Sequence, residues 1–314
     1  MFKSDTPGKT FDWLSVTTLA NGNELRLPVH TITGAHPGPT LGVTAGIHGD
    51  EYLPLEAVRQ LVQQLDPAQL SGNVIAIPVV NPLAIESQTR HTPTDMQNLN
   101  RVFPGDPNGW LTEQLAAVVC DKFLPEIDHL IDLHAGGAQP IVDYVYIQNN
   151  EGLSRAYGFP ALFRPSHPYV GTLTDVAQSR GIDCVVVEMG GGMIANDLYL
   201  ERGIRGLFNV LKYLNMIPGE PIMPAQQTVV TEISIIRPRF GGLLYPGVKL
   251  EDVGENVPHG TLLGTVVNPY TFEPLEEIRA PYERNLVILL RPTITKVHPG
   301  DYAYMMANAD SAEQ

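Results

Sequence analysis

The chain has 314 residues, 43% of them hydrophobic, and a formal net charge of −14 at pH 7. This length suits one large domain and a smaller one, with enough apolar residues to bury a sizeable core. Because a phosphate-binding surface needs clustered lysine and arginine, the acidic balance argues against nucleic acids and anionic membranes as partners.

Strand and helix patterns alternate over the first two thirds of the chain. In chain order they predict strands at 11–19, 24–33 and 41–45, a helix at 54–65, a strand at 73–80, a helix at 111–123, strands at 127–133 and 141–148, short helices at 151–157 and 172–179, a strand at 182–187 and a helix at 197–215. A turn at 36–39, His-Pro-Gly-Pro, precedes the third strand. Such alternation predicts an α/β sheet with helices on both faces.

The pattern changes after residue 216. Residues 218–224 are rich in proline, and short strand-like runs separated by glycine and proline turns follow. These runs predict a small all-β domain at 221–314, after an α/β domain at 1–220.

The first ten residues lack the apolar core of a signal peptide, and no apolar run reaches the ~18 residues that a membrane span needs. The two cysteines, Cys120 and Cys184, each lie in an apolar run, which favours buried thiols over a disulfide. We therefore expect a cytoplasmic protein with neither a membrane nor a nucleic acid as partner. Homo-oligomerisation is left open.

A long polar stretch at 81–110 has little periodicity. Stretches of this length without regular structure in compact domains are usually functional or disordered. Arg90, Asn100 and Arg101 favour a functional role here, because the arginine fork matches a carboxylate and the amide can donate to the same group. The alternatives are surface ion pairs for the arginines and a turn position for the asparagine.

Histidine and acid side chains follow three predicted buried strands, each next to glycine. They are His48 with Glu51, then His134, then Glu188. If these strands are parallel neighbours, their carboxyl ends open onto one crevice. Two histidines and one glutamate leave an open position on a catalytic zinc ion, and Glu188 is then free to act as general base. The alternative is that each side chain is an ordinary hydrogen-bonded residue, since His-x-x-Glu alone is a common chance pattern.

Four short segments together resemble one known family. They are Gly-Ile-His-Gly-Asp-Glu at 46–51, Asn-Leu-Asn-Arg-Val-Phe-Pro-Gly at 98–105, Asp-Leu-His at 132–134 and Val-Glu-Met-Gly-Gly at 187–191. In this order they resemble the succinylglutamate desuccinylase/aspartoacylase family of zinc carboxypeptidase-like enzymes. The likeness runs from about residue 27 through the C-terminal β domain. It implies a zinc-carboxypeptidase-like mixed sheet with helices on both faces, followed by a small lid-like or lipoyl-like all-β domain.

The resemblance also implies roles for the histidines and glutamates of these segments. His48, Glu51 and His134 match the ligands of one zinc ion per subunit. Glu188 matches the base that takes a proton from the attacking water and returns it to the leaving amine.

Three residues of the long polar stretch match the family's substrate-binding groups. Arg90 resembles the arginine that polarises the scissile carbonyl and stabilises the oxyanion. Asn100 and Arg101 match the pair that binds the substrate α-carboxylate.

The chain also departs from some relatives. They carry a further arginine shortly before the strand of the base, where it binds a second acidic group, but residues 172–176 contain none, and Arg164 and Arg180 are not clean matches. Asp50 adds a negative charge inside the metal motif, and this charge favours a cationic group on the substrate. The alternative is that Asp50 only supports the metal ligands or lies at the surface.

A tyrosine from the β domain reaches the substrate in relatives. Tyr245, Tyr302 and Tyr304 are the candidates for that role here.

The predicted function is zinc-dependent hydrolysis of an amide next to a free carboxylate, most simply by an N-acyl amino acid deacylase. Its partner is then a small molecule or short peptide with a free carboxylate. A metallo-exopeptidase that releases a C-terminal residue or an isopeptide-linked dipeptide is the alternative, and a non-catalytic ligand-binding protein is the third. A deacylase caps its site with the β domain, whereas an exopeptidase needs an open groove.

Overall fold

Two β-sheets organise the residues that the computed structural model describes, which are 2–4, 6–192 and 197–313. The strands of the first part of the chain are β1 (Gly8–Thr18), β2 (Glu24–Thr33), β3 (His36–Thr44), β4 (Ser71–Ile77), β5 (His129–His134), β6 (Ile141–Tyr146), β7 (Ala161–Phe163) and β8 (Asp183–Gly191). The later strands are β9 (Thr228–Val230), β10 (Ile233–Ile236), β11 (Gly242–Pro246), β12 (Asn256–Pro258), β13 (Leu262–Val267), β14 (Pro274–Arg279), β15 (Arg284–Leu290), β16 (Thr295–Val297) and β17 (Tyr304–Asn308).

The α-helices of the described residues cover both faces of the larger sheet. They are α1 (Tyr52–Gln64), α2 (Pro82–Ser87), α3 (Leu111–Val118), α4 (Glu151–Ala156), α5 (Leu173–Ser179) and α6 (Asp197–Tyr213). A π-helical turn at Val119–Phe123 continues α3.

The larger sheet has 13 strands, and its centre is parallel. The main order is β1-β2-β4-β3-β5-β8-β6-β15-β17-β10, with β4, β3, β5 and β8 mutually parallel. The strands that precede or contain His48, His134 and Glu188, namely β3, β5 and β8, are therefore adjacent and parallel. Parallel neighbouring strands are the condition under which a shared crevice was predicted.

Alternate residues of the central strands build two cores. On β5, Leu130 packs into the cluster that holds α3 and α5, and Ile131 packs into the cluster that holds α1 and α6. Successive strand residues point to opposite faces, so one strand of six residues serves both cores. The mixed α/β sheet with helices on both faces is confirmed.

Both cysteines lie in the core between the sheet and α3 or α5. Cys120 and Cys184 are buried and unbonded, as predicted. Burial raises the pKa of the Cys120 thiol to about 12, so this group stays protonated and unreactive at neutral pH.

The C-terminal strands divide between the two sheets. The order β14-β13-β11-β16 forms a separate antiparallel sheet, which confirms a C-terminal β region. Its residues Leu244, Leu263 and Val266 pack in one core with residues of β15 and β17. The strands β15, β17 and β10 instead extend the large sheet beyond β6, where Leu289 pairs with Val142. The division at residue 220 stays a prediction, and sheet hydrogen bonding continues across it.

Two local structures differ from the predicted elements. Residues 81–110 contain α2, which Asn81 caps by accepting a hydrogen bond from the backbone of Ala84, with proline at the first helical position. The Asn-Pro pair was the sequence signal for this helix. The expected turn at 36–39 lies in β3, where a bulge between His36 and Thr40 absorbs the two prolines that cannot donate to the ladder.

No helix in the described ranges is both long enough and apolar enough to cross a membrane.

Two glycines of α6 lie against buried side chains, so substituting each of them tests the packing of this helix. A methyl group at Gly206 would overlap the rigid ring of Tyr157, whereas one at Gly203 would overlap the flexible end of Met189. We expect Gly206→Ala to lower the free energy of unfolding by about 1–3 kcal/mol, because a buried ring has no room to move. Urea denaturation followed by circular dichroism measures the loss.

Gly203→Ala is the matched control, because the methionine end can turn aside. We expect it to destabilise less than Gly206→Ala, and an equal or larger loss in the control would contradict this account of the packing.

Candidate metal centre

Three buried side chains converge at the carboxyl ends of β3 and β5. His48 lies in the turn after β3, Glu51 directly precedes α1, and His134 is the last residue of β5. One donor atom from each lies within 4.8 Å of the others. Gly46, with a φ of +65°, makes the turn that brings His48 back over the sheet edge.

The two imidazoles face the same carboxylate. His48 Nδ1 is 2.7 Å from Glu51 Oε1, and His134 Nδ1 is 3.0 Å from Glu51 Oε2. All three residues are at most 3% exposed. The Nδ1 atoms and the carboxylate oxygens thus form one compact donor set.

Contacts on the other ring nitrogens assign the tautomers. His48 Nε2 is 3.2 Å from Asn98 Oδ1, an oxygen that also accepts the Asn100 backbone N–H at 2.9 Å. His134 Nε2 is 3.1 Å from Asp132 Oδ2. Both partners are acceptors, and so is the Glu51 carboxylate at each Nδ1. A metal ion bound at Nδ1 would displace the protons that face Glu51, so we assign the remaining ring protons of the metal-bound form to Nε2.

Asp132 is itself held in place. It is 1% exposed, and its Oδ1 accepts the Thr44 hydroxyl at 2.7 Å. Asn100 Nδ2 also lies 3.2 Å from His134 Nε2. This amide group is a donor, so it can bond that nitrogen only when the nitrogen carries no proton. The charge-assisted bond to Asp132 is the stronger of the two contacts.

Glu51 is ionised at this centre. Burial raises the pKa of its carboxyl, but the charges and hydrogen bonds of His48 and His134 outweigh burial and hold that pKa well below its ordinary value. The Arg90 guanidinium lies beside the same group, with Nη1 3.2 Å from Glu51 Oε1.

This donor set fits a metal ion. Two imidazole nitrogens and a carboxylate, open on the side of a cavity that His48 and His134 line, are the ligand types and the open position of a catalytic zinc site. The described part of the chain thus provides a site that is able to hold a metal.

Glu188 lies beside the donor set, inside β8 rather than after its end. In the sheet register it is opposite His134 of β5 and Tyr144 of β6. The strand continues past the predicted end at residue 187 because β6 pairs with it as far as Gly191. Burial raises the pKa of the Glu188 carboxyl to about 8, and the charges of His134 and Arg90 oppose that rise.

The three predicted substrate-binding residues line the same cavity as His48 and His134. Asn100 is 8% exposed, and its Oδ1 accepts the Leu173 backbone N–H at 3.0 Å, which fixes the direction of its amide. Arg101 is exposed, and its Nη1 donates to the Asn100 carbonyl at 2.6 Å. Arg90 is also exposed, and its guanidinium contacts Glu51.

Asp50 lies on the wall of this cavity, where it holds the loop that follows His134. Its Oδ2 accepts the Ala138 backbone N–H at 3.2 Å, and its buried Oδ1 has no hydrogen-bond partner among the described residues. It adds negative charge beside the donor set, and preference for a cationic substrate group stays a prediction.

The cavity has a volume of about 570 Å³, and the C-terminal strands contribute one of its walls. Arg237, Arg291 and Tyr302 line that wall, and the two arginines were missed in the sequence. Each of these arginines directly follows a predicted strand, and that position was the signal that could have revealed them. Of the candidate tyrosines, Tyr302 lines the cavity, whereas Tyr304 is fully buried.

Comparison with known proteins adds independent findings. The profile of the succinylglutamate desuccinylase/aspartoacylase catalytic domain matches residues 37–214. An N-alpha-acetyl-L-2,4-diaminobutyric acid deacetylase from Halomonas elongata is 30% identical over 297 residues, which cover 90% of this chain and 85% of that protein.

Solved structures agree along the whole chain. A succinylglutamate desuccinylase/aspartoacylase from Rhodobacter sphaeroides superposes with a TM-score of 0.85 at 27% identity, covering 98% of this chain and 97% of that one. The product-bound ectoine utilization protein EutE (DoeB) from Ruegeria pomeroyi also gives 0.85, at 25% identity, covering 97% and 96%. The resemblance found in the sequence is confirmed: the chain belongs to the succinylglutamate desuccinylase/aspartoacylase family of hydrolases.

Proposed function

We propose that the protein is a zinc-dependent hydrolase that removes the acyl group from an N-acyl amino acid. The observation that carries this proposal is the His48–Glu51–His134 donor set, which shares its cavity with the half-buried carboxyl of Glu188. The relative from Halomonas elongata is named for an acetylated amino acid. N-α-acetyl-L-2,4-diaminobutyrate is therefore the first substrate to test.

The metal and the base have separate tasks in this reaction. A zinc ion held by the donor set supplies Lewis acidity, which lowers the pKa of water toward about 7 and polarises a carbonyl. Glu188 takes the proton from the water that attacks the amide carbon, and it then delivers that proton to the leaving nitrogen. The C–N bond breaks, and the products are a carboxylic acid and an amine.

Arg90 is the group that we assign to the developing oxyanion. Its guanidinium lies beside the donor set, 3.2 Å from Glu51 Oε1, so a small rotation directs its N–H groups at a carbonyl oxygen bound there. Donors aimed at the position where negative charge develops stabilise the transition state more than the ground state.

Asn100 and Arg101 are assigned to the α-carboxylate of the substrate. The Leu173 backbone fixes the Asn100 amide, and Arg101 presents a planar fork from the neighbouring position. Their contribution is orientation, because a carboxylate held at one end places the amide against the attacking water.

The cavity wall supports a deacylase over an exopeptidase. The C-terminal segment closes one side of the cavity through Arg237, Arg291 and Tyr302. A long peptide needs a groove that is open at both ends, whereas a small acyl amino acid needs a pocket that excludes water.

Metal removal tests the mechanism as a whole. We expect about one zinc ion per chain by elemental analysis. We expect a chelator to abolish hydrolysis of N-α-acetyl-L-2,4-diaminobutyrate and of simpler N-acetyl amino acids, because it removes the Lewis acid that activates water and polarises the carbonyl. Zinc added back restores the rate.

The rates for N-acyl amino acids are compared in the same assay with the rates for a panel of short peptides. Full activity of the metal-free protein would overturn the zinc mechanism. Faster cleavage of peptides than of N-acyl amino acids would favour the exopeptidase.

Glu188→Gln tests the base. The amide keeps the shape of the side chain but accepts no proton, so we expect kcat to fall by about 10²–10⁴ with zinc content unchanged. Stopped assays with amine detection measure the rate, and an unaffected kcat would remove Glu188 from the mechanism.

The wild-type pH profile is the second readout for Glu188. Only the ionised carboxylate accepts a proton, so kcat/KM rises with pH up to the pKa of the base and is then constant. Burial raises that pKa from 4.5 to about 8, and a bound cation lowers it again, so we expect the acidic limb between these two values. This limb is absent from the residual activity of Glu188→Gln.

Asp132→Asn tests how the ligands are held. The variant loses the negative charge that orients His134 through Nε2, and we expect zinc affinity to fall about 10–100-fold, as measured by competition with a chromophoric chelator. Asp128→Asn, at an exposed aspartate that bonds only the Thr40 backbone, is the control and should bind zinc as the wild type does. Equal affinities in all three proteins would show that Asp132 has no such role.

A further inference from the structure

The strand β1 lies at the edge of the large sheet, and its central residues are exposed on both faces. In the strand order β1 has a neighbour only on the side of β2. Residues 9–13, Lys-Thr-Phe-Asp-Trp, are all exposed, and among the described residues their backbone groups bond only with β2. The other side of the strand therefore presents a row of unpaired N–H and C=O groups.

Two half-exposed aromatic rings lie on one face of this edge. Phe11 and Trp13 are two residues apart, so their side chains point to the same face, where they are 48% and 50% exposed. Their rings meet edge to face, with centroids 5.1 Å apart. Arg26 of β2 lies over the Trp13 ring at 4.9 Å, and His30 of β2 contacts the Phe11 ring. The strand β2 thus holds both rings in place, while about half of each stays in water.

The features that usually protect a sheet edge flank this segment and do not interrupt it. Proline, a β-bulge and charged side chains are the common devices that keep an edge from pairing. Here Pro7 precedes β1, and a bulge follows at 15–17. Between them, residues 8–14 carry only two charges, Lys9 and Asp12, which are of opposite sign. This segment is therefore suited to pairing with another strand.

The charges around the edge are balanced, in contrast to the rest of the chain. The whole sequence has 34 acidic and 20 basic residues, so two copies repel each other at most surfaces. Beside the edge, Lys9 and Arg26 face Asp12 and Glu24, and Arg26 lies 3.7 Å from Glu24. A second copy can therefore approach this edge with less repulsion than elsewhere.

The edge is also complementary to itself. A two-fold axis that joins two copies of β1 into one antiparallel sheet is perpendicular to that sheet, so it must pass between one residue and the same residue of the second copy. With the axis at Phe11, the two phenylalanines are opposite each other. Trp13 is then opposite Lys9 of the second copy, and Thr10 is opposite Asp12. These are aromatic, cation–π and hydroxyl–carboxylate pairs, and no like charges meet.

Neighbouring registers are less favourable. An axis at Asp12 places two carboxylates opposite each other, which is destabilising. An axis at Thr10 places Pro7, which has no N–H to donate, opposite Trp13. An axis at Trp13 extends the pairing into the bulge at 15–17.

We propose that the protein forms a dimer with a second copy of this chain through the free edge of β1, with the two-fold axis at Phe11. The large sheet then continues from β2 and β1 of one protomer into β1 and β2 of the other. Phe11 and Trp13 gain cross-strand neighbours about 4.5–5.5 Å away between Cβ atoms, which removes part of their surface from water. The interface joins strand edges and not broad faces, so it belongs to the smaller class, and we expect a dissociation constant in the micromolar range.

This contact is independent of the proposed reaction. In the sheet order, β2 and β4 separate β1 from β3, the strand that precedes His48. The measurements below need no turnover, so they are decided whether or not the amide hydrolysis is correct.

Sedimentation equilibrium from low to high micromolar concentration measures the association. We expect a monomer–dimer equilibrium for the wild type. Phe11→Glu places two carboxylates opposite each other at the axis, and it should raise the dissociation constant by about tenfold or more. Tyr270→Glu is the matched control, because it makes the same charge change at an exposed aromatic residue in the turn between β13 and β14. It should dimerise as the wild type does.

Disulfide cross-linking tests the register. In Phe11→Cys the two cysteines are opposite each other, with about 4.5–5.5 Å between Cα atoms, so mild oxidation should yield covalent dimers. Thr10→Cys and Asp12→Cys should not cross-link alone, because each cysteine lies diagonally from its own copy, about 7–8 Å away. A mixture of the two variants should cross-link, since these positions are opposite each other. The native Cys120 and Cys184 are buried and do not interfere.

Each outcome supports the contact or overturns it. Monomers at every concentration overturn the dimer. Wild-type affinity in Phe11→Glu, or no cross-link in Phe11→Cys, shows that two copies meet elsewhere. An equal loss in Phe11→Glu and Tyr270→Glu shows a general effect of charge and also overturns the contact. Melting curves show whether the variants fold, and the cysteine variants decide the question if Phe11→Glu does not.

Discussion

The candidate site depends on one buried carboxylate that is shared between two histidines. Glu51 Oε1 faces His48 and Arg90, while Oε2 faces His134 and accepts the Ala135 backbone N–H at 3.2 Å. A charge this deeply buried is tolerated only because both oxygens have partners. Those partners come from segments that are distant in sequence, and the parallel pairing of β3 with β5 brings them together.

The two glutamates of the site have opposite electrostatic environments. The imidazoles hold the pKa of Glu51 low, so this residue is a permanent anion that suits a metal. Burial dominates at Glu188 and raises its pKa to about 8, so this residue exchanges a proton near neutral pH. Two carboxyls whose pKa values are pushed in opposite directions commonly mark a division between binding and proton transfer.

Much of this arrangement could be predicted from the sequence, because apolar strands that end in glycine and a polar side chain indicate a shared edge when the strands are parallel. His48, Glu51 and His134 satisfied that rule directly. Glu188 lies inside its strand, since β8 is prolonged by antiparallel pairing with β6, and no local pattern encodes a pairing between distant segments. Arg237 and Arg291 were missed for the same reason, because their place on the cavity wall depends on β10 and β15 joining the large sheet.

The joining of these strands gives the cavity two walls that are held by different strand pairings. The donor set and Glu188 stand on β3, β5 and β8, whose register must be kept for the centre to form. The opposite wall, lined by Arg237, Arg291 and Tyr302 and called here the distal wall, follows β10 and β15. The strand β15 meets β6 through two register pairs, at Leu289 and Leu290. Substitutions beyond those strand ends change the charge of the distal wall without altering the pairing around Glu51. The donor set and the distal wall therefore depend on different parts of the same sheet, although they face one cavity.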